Sequence, residues 1–133
     1  MIEAFTRYRT YHGCTLSPPT QAASAAAWAE EAHVAKNRAA YDEKYEAVLP
    51  LLSPVMSVVK PAAGFYLWPT LAIDDKVTTQ RLHSEYNVAV VPGSYLARNC
   101  DGANPGTNRI RLALVAPLDE CIEAANRMVS CLS

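Results

Sequence analysis

The chain has 133 residues, a formal net charge of −1 and a hydrophobic share of 50%, a size and balance that suit one globular domain and exclude disorder or a fibrous repeat. Acidic and basic residues interleave, so no positive field draws counterions off a phosphate backbone and nucleic acid is not an expected partner. Runs such as Val88 to Val91 fall far short of the roughly 20 apolar residues that span a bilayer, and the first residues lack a basic-then-apolar signal pattern; the expectation is a cytoplasmic protein with no membrane partner.

Residues Met1 to Tyr11 alternate apolar and charged groups without a clear stop. Ser17-Pro18-Pro19 then places a capping hydroxyl before prolines that suit a first helical turn, and no breaker follows until Pro50, which predicts one long helix. Val34, Tyr41, Tyr45, Val48, Leu49 and Leu52 recur at helical spacing as its core stripe, with Glu30, Glu31, Lys36, Asp42, Glu43 and Lys44 opposite. Ala22 to Ala29 are too small to fill a core alone, so that half is expected to pack closely against another element or a neighbouring domain, with Trp28 as the anchor there.

After Pro50 the period shortens. Met56 to Val59 and Gly64 to Trp68 read as two strands of a hairpin turned at Lys60-Pro61-Ala62-Ala63. Asp74 and Asp75 supply a cap and favourable dipole charge for a helix through Val77, Leu82 and Tyr86, stopped at Asn87. Val88 to Val91 reads as a buried strand ended by Pro92-Gly93, and the turn-rich stretch to Asn108 as a long loop, a kind that commonly carries function. In Arg109 to Val115, Ile110, Leu112 and Leu114 face one side of a sheet and Arg109, Arg111 and Ala113 the other. A final amphipathic helix starts at Pro117 and carries Leu118, Cys121, Ile122, Ala125, Met128, Val129 and Leu132. The fold class is α+β, a small mixed sheet of about four strands covered by three helices, with a long N-terminal helix.

Cys14, Cys100, Cys121 and Cys131 form no C-x-x-C pair and read as reduced thiols, and His12, His33 and His83 supply no matching zinc-ligand spacings, so no metal site is expected. Nucleophile-elbow and phosphate-loop motifs are missing. The adjacent carboxylates Asp42-Glu43 and Asp74-Asp75 read as a solvated helix face and a cap. Arg111 stands out, because an arginine on an alternating strand after a glycine-rich loop presents a planar fork that matches a carboxylate, although exposed or salt-bridged arginines are the commoner case.

Five segments in order, Tyr8 to Cys14, Ser17-Pro18 with Gln21, Ala63 to Pro69, Val90 to Leu96 and Asn108 to Pro117, together resemble the carboxy-terminal small domain of class I/II, fold type I aminotransferases, with the N-succinyldiaminopimelate enzymes of bacterial lysine synthesis as the nearest branch. The resemblance covers about Tyr8 to Leu132 and divides the chain into a connecting segment, residues 1–16, and a small domain, residues 17–133. It implies that Arg111, followed by Leu112-Ala113, binds the α-carboxylate of an amino-acid or ketoacid substrate, with Phe65, Tyr66, Ser94 and Tyr95 at the entrance. Pyridoxal 5′-phosphate serves the full-length family. Lys36, Lys44, Lys60 and Lys76 match no cofactor-lysine motif, so the resemblance implies that a large domain must partner this one, that no cofactor binds this chain alone, and that the isolated chain is inactive. The alternative is a free-standing interaction module, with self-association through bare apolar surface.

Overall fold

A computed structural model describes residues 1–13 and 16–133; Cys14, part of the first resembling segment and of the thiol reading, lies outside them. The chain divides into two compact units, Met1–Asn37 and Arg38–Ser133.

In the first unit α1 (Ile2–His12) carries Glu3 in its first turn and Arg9 and His12 in its last, charges that suit the dipole at each end. The stretch read from sequence as lacking a stop is thus a helix, ended at Gly13, whose amide donates to the Arg9 carbonyl. The long helix expected from Ser17 to Pro50 is two: α2 (Pro18–Ala29) and α3 (Ala32–Leu52). The break has a capping cause. Glu30 adopts an extended backbone, and its carboxylate accepts from the amides of Ala32 (2.8 Å) and His33, starting a fresh helix where alanine propensity alone favoured continuation. Ser17 occupies the N-cap position of α2 as expected, but its hydroxyl bonds that of Thr20 rather than a helix amide. Trp28 is 85% exposed, so of the two expected ways for it to pack, that against a neighbouring domain is the one left open.

The second unit holds the core. Tyr45, Val48 and Leu52 are buried on α3, and Pro50 sits inside its last turn rather than ending it. Three short strands follow: β1 (Tyr66–Leu67), β2 (Val91–Pro92) and β3 (Ile110–Ala113), in the order β1-β3-β2, with both pairings antiparallel. The α+β class stands, with three strands in place of about four and an antiparallel sheet in place of the expected mixed one. Met56 to Val59 forms no strand, because its pairing shrinks to one bridge, Ser57 with Thr70. Pro54 and Pro61 flank it and cannot donate to a ladder, and Gly64 turns the chain at φ +96°. The strand expected at 88–91 is displaced to Val91–Pro92, and the expected loop after it opens with a short helix, α5 (Gly93–Leu96).

Two further helices close the core, α4 (Asp75–Tyr86) and α6 (Leu118–Leu132). Leu82 on α4, Leu67 on β1 and Ile110 on β3 are fully buried, as is Val48 on α3, so three helices, α3, α4 and α6, supply the helical side of the core. Asp74 caps α4 by accepting from the amides of Lys76 (2.9 Å) and Val77 (3.0 Å), and Asn87 ends it in the left-handed region at φ 53°. Replacing Asp74 with alanine is expected to cost about 1 kcal/mol and lower the melting temperature by roughly 4 °C, read by thermal denaturation. Among the described residues no helix is long and apolar enough to cross a membrane.

Candidate functional site

Directly opposed residues of an antiparallel pair share a face of the sheet. Leu67 opposes Leu112 on the core side, whereas Tyr66 opposes Ala113 and Arg111 opposes Val91 on the other. The alternation buries Ile110 and Leu112 and leaves Arg111 half-buried. Its guanidinium carbon lies 4.7 Å from the centre of the Tyr66 ring, a stacking contact that holds the planar group without neutralising it. Among the described residues the ion pairs are His33 with Glu30, Lys60 with Asp42, Arg81 with Glu85 and Arg127 with Glu123; Arg111 enters none of them. Arg109 differs, since it donates to the Trp68 carbonyl at 3.3 Å. Among the described residues the Arg111 guanidinium, a charged five-donor fork, therefore has no carboxylate partner.

Aromatic rings extend this face. Phe65 lies 4.2 Å from Tyr66 between ring centres, and Tyr41 stacks on Phe65 at 5.7 Å. Lys44 reaches over Tyr41 while donating to the Leu114 carbonyl at 2.9 Å. The structure therefore brings Arg111, Tyr66 and Phe65 together. Ser94 and Tyr95 sit on α5, with contacts that run toward α4: the Ser94 amide donates to Asp75, and the exposed Tyr95 ring lies 5.6 Å from the Lys76 ammonium.

Asp75 is the residue that sequence reasoning under-read. Expected as a solvated dipole charge, it is 1% exposed. One carboxylate oxygen accepts from the Ser94 amide (2.9 Å) and the other from the Asn108 amide (3.2 Å). Burial pushes its pKa up, but the hydrogen bonds from Ser94 and Asn108 outweigh that and hold it below the usual carboxylate value. The Ser94 hydroxyl is buried close by yet meets hydrogen-bond geometry with no partner among the described residues, so the two amides carry the attachment. A signal was available: Asp75, Thr78 and Leu82 share one helical stripe, and all three are buried.

The sequence over residues 6–127 matches the family Aminotransferase class I and II. The chain belongs to this family. A solved aminotransferase from Neisseria meningitidis Z2491 superposes over 99% of the chain and 34% of its own length, with a TM-score of 0.88 and 42% identity. An aspartate aminotransferase from Bacillus sp. strain YM-2 is 36% identical across 72% of the chain and 26% of its own length. A Thermus thermophilus structure described as a probable N-succinyldiaminopimelate aminotransferase is 36% identical, with a TM-score of 0.58 over 70% of the chain and 24% of its own. The chain spans about a quarter to a third of the length of these relatives.

Class I and II aminotransferases are PLP-dependent and act on amino acids and ketoacids. The lysines of the chain do not fit the cofactor's need for an unengaged amine in a cleft. Lys44 bonds a main-chain carbonyl, and Lys76 overlies an exposed tyrosine. Lys60 pairs with Asp42, which raises its pKa, opposite to the shift that activates an amine. Lys36 lies exposed on α3. No group of three or more His, Cys, Asp or Glu residues is placed for a metal among the described residues.

Proposed function

We propose that this chain supplies the substrate-carboxylate grip of a PLP-dependent aminotransferase, with Arg111 as the residue that forks onto the α-carboxylate of the amino acid and of the ketoacid. The supporting observation is the half-buried guanidinium on the outer face of the sheet, braced by Tyr66 and, among the described residues, without an internal carboxylate. Tyr66 and Phe65 border the substrate, and Ser94 and Tyr95 flank its entrance. Residues 1–16 act as the connecting segment and 17–133 as the small domain of a cytoplasmic enzyme. In this reading a large domain supplies the lysine and the phosphate site, so the chain is inactive without it, and its bare apolar surface favours self-association when that partner is missing.

The substrate in this reading is N-succinyldiaminopimelate, supported by the five ordered sequence segments and by the similarity to the Thermus protein. Steady-state kinetics of the PLP-loaded enzyme test it. A kcat/KM at least tenfold higher for N-succinyldiaminopimelate than for aspartate is expected, a margin worth about 1.4 kcal/mol. Preference for aspartate refutes the assignment while leaving the role of Arg111 intact.

A further inference from the structure

We infer that Asp75 is a positioning residue for Arg111: its buried carboxylate clasps the amides at both ends of the 94–108 loop and thereby sets the line along which β3 enters the sheet. The inference rests on the proposed carboxylate-binding role of Arg111. β3 has four residues, with two paired positions on each side, and the same register runs on through the Thr70–Arg109 bridge, the Gly93 amide on the Arg109 carbonyl (2.7 Å) and the Leu114 amide on the Phe65 carbonyl (3.0 Å), a short ladder whose line depends on how its first residues are fixed. The residue just before it is held as well. Asn108 adopts φ 56°, donates its amide to Asp75 and accepts at its carbonyl from the Leu71 amide at 2.8 Å. Three residues later the strand presents Arg111.

The other end of the loop is fixed to the same carboxylate. The Ser94 amide donates to Asp75 and the Ser94 carbonyl accepts from the Asn104 side chain at 3.0 Å. Asn104 also accepts from the Gly106 amide, at 2.8 Å, so the loop is cross-braced from within. Both carboxylate oxygens are required, because each holds one N–H. Asparagine has nearly the same shape but a single oxygen, so one of the two amides must then face an NH2 group, donor against donor.

The test is a double-mutant cycle in the PLP-loaded enzyme that carries this segment. Asp75→Asn is expected to raise KM for amino acid and ketoacid together by roughly tenfold, the loss of one charge-assisted bond, with kcat changed by less than about threefold. In Asp75→Asn/Arg111→Lys the second change should add little to the first, because both act on one contact. A fall in melting temperature with KM unchanged, or effects that multiply in the double mutant, overturns the proposal. An Arg111→Lys enzyme with normal KM overturns it through the premise, a result distinct from failure at Asp75. Hydrogen exchange on the unsubstituted protein gives a check free of folding defects: the Ser94 and Asn108 amides should exchange slowly, and exchange at the rate of exposed loop amides overturns the clasp.

Discussion

Arg111→Lys is expected to raise KM for both the amino acid and the ketoacid by about tenfold or more, and Arg111→Ala by roughly 10²-fold, with kcat much less affected. Lysine keeps the charge and loses the fork. A guanidinium offers two parallel N–H groups to the two oxygens of a carboxylate, whereas an ammonium acts as a point charge that meets them one at a time. Lysine also forfeits the contact of the guanidinium with the Tyr66 ring, 4.7 Å from its centre, that now braces the group. Because the carboxylate is held alike in ground and transition states, the loss should appear in KM rather than kcat. Steady-state kinetics with the amino acid and the ketoacid, one for each half-reaction, check this, and an unaltered KM would remove Arg111 from the site.

Gly106→Ala should be the more damaging change to the fold around that site, with a loss of about 1–3 kcal/mol or more. A Cβ built on Gly106 meets the Gly93 carbonyl oxygen at 2.1 Å and carbon at 2.4 Å, and one built on Gly93 meets the Gly106 oxygen at 2.4 Å and the Arg109 oxygen at 2.8 Å. These neighbours are main chain and cannot rotate away. Relief requires α5 to separate from the start of β3, where the Gly93 amide donates to the Arg109 carbonyl at 2.7 Å. Gly102→Ala is the control. That glycine has φ +83° but open space around its Cβ position, so alanine there carries only the left-handed backbone cost of roughly 1–2 kcal/mol. Thermal melts of the two variants should therefore rank Gly106→Ala below Gly102→Ala, and the reverse order would show that the α5 contact is slack.

Legibility in the sequence follows the range of the interaction. Asp74 and Asn87 could be read as the ends of α4 because a cap is satisfied within a few residues by its own neighbours. The α6 stripe of Cys121, Ala125 and Met128 was likewise readable, since 3.6-residue spacing is a property of the helix alone, and all three are buried. Glu30 shows the limit. As a helix former in an alanine-rich run it favoured continuation, yet its carboxylate satisfies the first amides of a new helix. Near 56–59 the β-branched pattern was present, but pairing depended on partners beyond two prolines and closed to one bridge. Asp75 was misread because whether a carboxylate is solvated depends on what stands opposite it, here amides 19 and 33 residues away.

For this protein the sequence by itself determined the α+β class, the caps and core face of its later helices, the inward and outward sides of β3, and the ordered segments that resemble an aminotransferase small domain. Only the tertiary structure decided that Arg111 rests on Tyr66 with no carboxylate of its own among the described residues, that the sheet is three short antiparallel strands, and that Asp75 is a buried clasp. The first set depends on periodicity and on hydrogen bonds between close neighbours in the chain, which local residue identity specifies. The second depends on which distant groups meet after loop closure, and there the same arginine or aspartate has different chemistry according to whether water, a ring or a main-chain amide lies against it.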